Sequence, residues 1–165
     1  MRIIVLSDTH GRIKNFEKIR LKQPGAELFI HLGDGLAEVD TMRANHPGSA
    51  FTAVRGNCDF SSSEPYEKLL VLEDKRIFLT HGHRYSVKSG LDRLMEAALL
   101  NRADVVLFGH THQPYIKYQS GMHILNPGSA ERPADAKPKF GIIDIINGCV
   151  SAHLSDIQAA AVQLY

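Results

Sequence analysis

Five times along this chain an apolar run stops and a metal-ligating type of residue follows within a few positions. The runs are residues 3–6, 28–30, 51–54, 76–79 and 104–108. After them come, in order, Asp8 and His10, Asp34, Asn57, His81 and His83, and His110 and His112. In α/β sheets the C-terminal strand ends gather along one edge, where ligands bind. Unrelated surface motifs have no reason to share that placement, so the repetition constrains fold and chemistry together. Its sharpest member is Gly109-His110-Thr111-His112. In extended backbone residues i and i+2 share a face, so both rings are expected to lean over one sheet edge.

The remaining pattern is consistent with such a sheet. Ile13, Phe16 and Ile19 recur at helical spacing up to Pro24-Gly25, with Lys14, Lys18 and Lys22 on another face. Residues 36–44 read as a second helix, and 88–101 as a third, on Leu91, Leu94, Met95 and Ala98. Residues 66–72 and 76–79 flank a Glu-Asp-Lys turn and predict a hairpin. Strands are expected again at 115–118, 123–125, 140–146 and 149–154. Early elements alternate β and α and the last third is mostly antiparallel β. That order fits a mixed α/β fold with two packed sheets and helices outside.

At 165 residues without a repeat or low-complexity linker, the chain reads as a single domain spanning 1–165. A net charge of +1 provides no bulk attraction to nucleic acid or to an anionic membrane. The N-terminal apolar run of four residues is too short for a signal peptide or a membrane span. Cys58 and Cys149, far apart in sequence, fit a reducing compartment, so a cytoplasmic protein is expected.

The ligand-type residues mix carboxylates, imidazoles and one amide, with no cysteine pair at zinc-finger spacing. A closed structural zinc site takes four ligands. Seven candidates, Asp8, His10, Asp34, Asn57, His81, His110 and His112, exceed one tetrahedral ion and suit two. Paired ions about 3.5–4 Å apart clamp the attacking and leaving oxygens in phosphoryl transfer. His83 is a candidate for contact with substrate phosphate, and Asp59 for orienting a neighbour or capping a loop. Asn126-Pro127-Gly128-Ser129 offers either backbone N–H groups to an anion or a plain turn, whereas His31, His46, His123 and His153 read as structural.

Taken in order, Asp8-x-His10, Gly33-Asp34, Gly56-Asn57, His81-Gly-His83 and Gly109-His110-Thr111-His112 resemble the calcineurin-like metallophosphoesterase superfamily. Within it the chain resembles the small single-domain phosphodiesterases of the YfcE type. The resemblance implies a four-layer α-β-β-α sandwich and a dinuclear site. Asp8, His10 and His112 would hold one divalent ion, Asn57, His81 and His110 the other, and Asp34 would bridge them. It further implies hydrolysis of a small phosphate ester by a metal-bridging hydroxide, with Mn²⁺ the first choice of metal and Fe, Ni or Zn also suited to the ligands. One position departs from many superfamily members, which carry a histidine after the Gly-Asn pair; here it is Cys58. A thiol is a poor substitute for imidazolium as a general acid, so activated diesters are expected to react faster than alkyl monoesters. Packing beneath the site is the simpler role for this cysteine. The competing readings are a phosphomonoesterase or nucleotide phosphatase, and a protein-binding scaffold like the retromer subunit of this fold. A homo-oligomer is compatible with either, and a DNA-repair nuclease is disfavoured by the absence of a basic excess.

Overall fold

In strand β1 (Arg2–Leu6) the four residues Ile3 to Leu6 are fully buried, on both faces. Ile3 and Val5 pack into a core shared with a second sheet, whereas Ile4 and Leu6 pack under helices. This two-sided burial explains why the run is continuous rather than alternating. Each such side chain contributes about 1.5–3 kcal/mol. The computed structural model describes residues 1–131 and 137–158. The expected domain of 1–165 therefore includes residues 132–136 and 159–165, which lie outside the described ones.

The chain continues through α1 (Ile13–Lys22), β2 (Leu28–His31), α2 (Leu36–Asn45), β3 (Phe51–Ala53), β4 (Glu67–Leu72) and β5 (Lys75–Thr80). A 3-10 turn (His83–Tyr85) precedes α3 (Asp92–Leu100) and β6 (Val105–Leu107). The described elements end with β7 (Pro114–Gln119), β8 (Met122–Pro127), β9 (Lys139–Ile146) and β10 (Cys149–Asp156). One sheet has the order β10-β9-β1-β2-β3 and the other β4-β5-β6-β8-β7. Their inner faces meet in a core that includes Ile3, Ile30, Leu79 and Leu107. On the outer faces, Phe16 and Met42 lie against the first sheet, and Leu94 and Ala98 against the second. The result is the four-layer α-β-β-α sandwich of two mixed sheets.

One expectation needs correction. The third helix begins at Asp92 rather than residue 88, because Gly90 sits at φ +148°, outside helical space. The last third is mostly antiparallel, as expected, with the β8–β6 pairing its parallel member. Consequently β1, β2 and β3 run parallel in one sheet, and β5, β6 and β8 in the other. All six deliver their C-terminal ends to the same edge of the sandwich.

Candidate metal centre

Five of the residues at that edge have left-handed backbone despite carrying side chains: Asp8 (φ 56°), His10 (46°), Asp34 (57°), His110 (67°) and His112 (59°). Such residues are uncommon outside glycine and cluster at functional sites. The conformation also overturns the simple alternation expected for Gly109-His110-Thr111-His112. The backbone curls instead of extending, and the two rings part company. His110 lies 5.0 Å from the His81 ring, whereas His112 lies 5.1 Å from His10.

Among the described residues the donor atoms fall into groups lying within 4.8 Å of one another: Asp8, His10 and His112 in one, Asp34, His81 and His110 in a second, and an overlapping set of His10, Asp34 and Cys58 that links the two. In the first, the Nε2 atoms of His10 and His112 approach to 3.2 Å, and Asp8 Oδ1 lies 3.1 Å from His112 Nε2. Asp8 is completely buried, yet Oδ1 lacks a partner in hydrogen-bond geometry among the described residues. A buried orphan oxygen is costly unless something else satisfies it. With two imidazole nitrogens converging on it, the donor set fits a divalent cation.

In the second group, His81 Nδ1 lies 2.7 Å from the Leu32 carbonyl. With Nδ1–H as donor, the lone pair of neutral His81 is on Nε2, 3.4 Å from Asp34 Oδ2 and 3.2 Å from Asn57 Oδ1. Fixing a ligating imidazole through its other nitrogen is the usual outer support of a metal site. Asp34 Oδ1 accepts the Cys58 backbone N–H at 2.7 Å. Thus all seven residues anticipated as ligands lie at one edge, with Asn57 reaching it through its amide oxygen.

Burial opposes the charge of Asp34, but His81 beside it and the Cys58 N–H hold the carboxyl well below the ordinary range. Burial likewise works against Asp8, and His112 and His81 win, again lowering it. For His81, Asp34 and Asp8 overcome burial and raise the imidazole. His110 goes the other way, pushed down to about 4 by burial and by His81. His83 is also lowered, by burial and His81. Its ring stands 5.4 Å from His81 and 6.0 Å from His110, close to the donors without joining either group.

Cys58 does not pack beneath the site. Its side chain is exposed at the rim, and partial desolvation with the Asp34 carboxylate pushes the thiol up to about 11. It is therefore a protonated thiol at neutral pH.

Asp59 proves more consequential than a loop cap. Its carboxylate accepts backbone N–H groups from Asp34 (2.7 Å), Gly35 (3.0 Å), Leu36 (3.0 Å) and Gly56 (2.8 Å). One side chain thereby ties the loops after β2 and β3 together and holds the start of α2. Glu38 gave no signal in the sequence beyond its place among the apolar residues of a helix. It is buried and accepts from Thr9 Oγ1 and the Gly11 N–H, both at 2.7 Å. Gly33 N–H donates to His31 Nδ1 (3.2 Å), which leaves His31 Nε2–H to donate to Thr9 Oγ1 (3.1 Å). His31 is structural, as expected, but its chain to Thr9 and Glu38 supports the loop that carries Asp8 and His10.

The loop after β8 is a brace rather than an anion cradle. Asn126 Nδ2 donates to the Gly109 carbonyl (2.9 Å) and Thr111 Oγ1 (3.0 Å), and its Oδ1 accepts the Gly128 N–H (2.8 Å). Ser129 Oγ donates to the Asp8 carbonyl at 2.8 Å. Close backbone approach completes the frame: a Cβ on Gly33 would come within 2.5 Å of Gly56 N, and its φ of +98° excludes most side chains.

Comparison with known proteins agrees with this geometry. The calcineurin-like phosphoesterase superfamily domain matches residues 1–148. The probable metallophosphoesterase YsnB of Bacillus subtilis is 30% identical over 159 residues, covering 94% of this chain and 91% of that protein. Phosphodiesterase YfcE of Escherichia coli K12 is 31% identical over 169 residues, covering 87% and 88% respectively. Among solved structures, a predicted phosphoesterase from Streptococcus pneumoniae superposes with a TM-score of 0.82 at 25% identity, over 98% of this chain and 92% of that one. Ordered motifs, two-sheet sandwich and strand-end donors thus have one common explanation: the chain belongs to the calcineurin-like phosphoesterase superfamily.

Proposed function

We propose that this protein is a dinuclear metal-dependent phosphodiesterase acting on a small phosphate ester. The observation that carries this reading is the pair of donor groups, three residues each, at one edge of the sandwich. Asp8, His10 and His112 would hold one divalent ion; Asn57, His81 and His110 would hold the other, with Asp34 shared between them. Mn²⁺ is our choice among the metals that mixed oxygen and nitrogen ligation accepts. When bound, such a pair supplies Lewis acidity toward phosphoryl oxygens and a lowered pKa for coordinated water.

The chain's own residues do the rest. The Cys58 N–H and the Asp59 anchor hold Asp34 in the left-handed conformation that points its carboxylate at the donors. His83 is proposed to contact the substrate phosphate, donating a hydrogen bond to an equatorial oxygen as charge builds there. Cys58 stands at the rim as a protonated thiol, a weak donor that would give little help to a poor leaving group. Diesters with good leaving groups are therefore the preferred class over alkyl monoesters. Two free, exposed cysteines suit a reducing compartment, and we place the protein in the cytoplasm. Among the described residues no helix is long and apolar enough to cross a membrane.

The test strips the protein of metal, restores Mn²⁺, and compares bis-p-nitrophenyl phosphate with p-nitrophenyl phosphate. Metal-dependent turnover with the diester ahead is expected. Inactivity on both, together with failure to bind two ions, sinks the enzyme reading; a faster monoester makes the protein a phosphomonoesterase.

A further inference from the structure

Beside the donor groups lies a patch of positive charge that has no carboxylate partner among the described residues. The guanidinium of Arg55 sits over the Tyr66 ring, 5.1 Å from its centroid, and that of Arg84 over the same ring at 4.7 Å. Tyr66 in turn meets the His83 ring edge-on at 5.6 Å, and His83 borders His81 and His110. The basic patch is therefore one aromatic ring away from a candidate substrate contact.

Two like charges over one ring repel each other, and a cation–π contact returns only about 0.5–1 kcal/mol at an exposed site. Nearby carboxylates do not offset the repulsion. Among the described residues, no carboxylate lies within 4 Å of either guanidinium. Glu67 is taken by the Tyr85 hydroxyl (2.5 Å), and Glu64 by Arg43 (2.8 Å) and Lys68 (2.7 Å). Arg55 is also held in place: its N–H donates to the Pro65 carbonyl (2.8 Å) and its Nη2 to the Phe60 carbonyl (3.0 Å). Arg55 Nε is nonetheless buried without a hydrogen-bond partner among the described residues, and so is His83 Nδ1. Native proteins seldom leave such groups unsatisfied without a reason. Since the chain as a whole carries a net charge of only +1, the patch does not reflect general basicity.

We propose that Arg55 and Arg84, arrayed around Tyr66 next to His83, form a subsite for a second anionic group of the substrate. The preferred substrate is then a phosphodiester that carries a further phosphate beyond the scissile one. Guanidinium is the group suited to this task, because its planar fork of donors matches the oxygens of a phosphate and stays charged at every relevant pH. The inference rests on the phosphodiesterase reading for its reaction, and on the arginine pair alone for its specificity.

The test uses two esters that differ only in the second phosphate: thymidine 5′-(p-nitrophenyl phosphate) and its 3′-phosphorylated form. In Mn²⁺-loaded protein the 3′-phosphorylated ester is expected to have a kcat/KM about tenfold higher or more, carried by KM. Arg84→Gln, at an exposed position, and Arg55→Gln should each shrink that ratio, and the double variant should bring it near one. Calorimetry with thymidine 3′,5′-bisphosphate against thymidine 5′-monophosphate provides a reading independent of turnover. Tighter binding of the bisphosphate, erased in the double variant, supports the subsite even if neither ester is hydrolysed, an outcome that removes only the enzyme reading. Equal affinity of the wild type for both nucleotides, or a ratio that survives both arginine substitutions, overturns the inference.

Discussion

The two donor groups are built by different means. In the second group two ligands are held directly: His81 by the Leu32 carbonyl on the opposite sheet, and Asp34 by the Cys58 N–H, with the Asp59 anchor on its backbone N–H; the His110 ring packs edge-on against His81. His10 and His112, by contrast, are partly exposed, and their ring nitrogens meet each other at 3.2 Å across from an orphaned Asp8 oxygen. Support reaches that group from behind, through Thr9, Glu38 and His31, and through Ser129 on the Asp8 carbonyl. The lesson is that a group held through buried ligands is organised before any ion arrives. One whose imidazoles stand partly exposed, with only the Asp8 carboxylate anchored on the His110 N–H (3.1 Å), leaves more of the adjustment to the ion itself.

The largest expected effect tests what joins the two groups. Asp34→Asn should lower diesterase kcat by about 10³-fold or more while the thermal transition is kept. A variant with near-normal turnover would remove Asp34 from the shared position. Separate substitutions then probe the division of labour. His112→Ala and His110→Ala should each reduce bound Mn²⁺ from two ions to one, measured by elemental analysis after equilibrium dialysis. The ion retained by His110→Ala should be the weaker one, because the preorganised group has been broken. If either substitution empties both positions together, the division is wrong.

Asp59→Ala isolates the brace of the preorganised group. Four backbone N–H groups lose their acceptor, and the expected loss of stability is about 3 kcal/mol, read from urea unfolding. Asn at that position keeps one oxygen and should recover part of the loss. A change below about 0.5 kcal/mol would mean that water replaces the carboxylate without cost.

The smallest effect concerns the other brace. Burial pushes His31 down to about 4, so it stays neutral in the fold. An unfolded histidine titrates near 6.5. Between those values the unfolded state binds a proton that the folded state refuses, so stability falls as pH falls through that window. From pH 8 to pH 5 this amounts to about 2 kcal/mol. His31→Gln should flatten the stability profile by that amount relative to the wild type; an unchanged slope would show that His31 does not carry it.

How far these features could be read in advance differs from residue to residue. The run from Ile3 to Leu6 announces a strand buried on both faces, because no half-exposed strand can afford four consecutive apolar side chains. Asp8, Asp34 and His110 were visible because each follows such a run directly. Asp59 was visible as an orienting or capping residue but not as a tie between loops: its four N–H donors come from two loops separated by more than twenty residues. Glu38 was not visible at all, since a glutamate in a helix is ordinarily solvated and its burial depends on Thr9 and Gly11 arriving from another strand end.

By itself, then, the sequence determined the element types, the gathering of donors at one sheet edge and the family, because local pattern and strand polarity suffice for those. The resemblance implied how the donors divide, but only the tertiary structure decided the geometry that brings them together. Local spacing put His110 and His112 on one face, yet their left-handed backbone turns them toward different partners. That turn is held by the Asn126 brace from β8, the Asp8 carboxylate on the His110 N–H (3.1 Å) and the approach of His81 and His10 from neighbouring strands. Tyr66, Arg55 and Arg84 likewise come together only because the β3–β4 connection and the turn after β5 meet at the same edge. Contacts between distant segments carry no local periodicity, and that is why the braces and distances around these side chains had to wait for the fold.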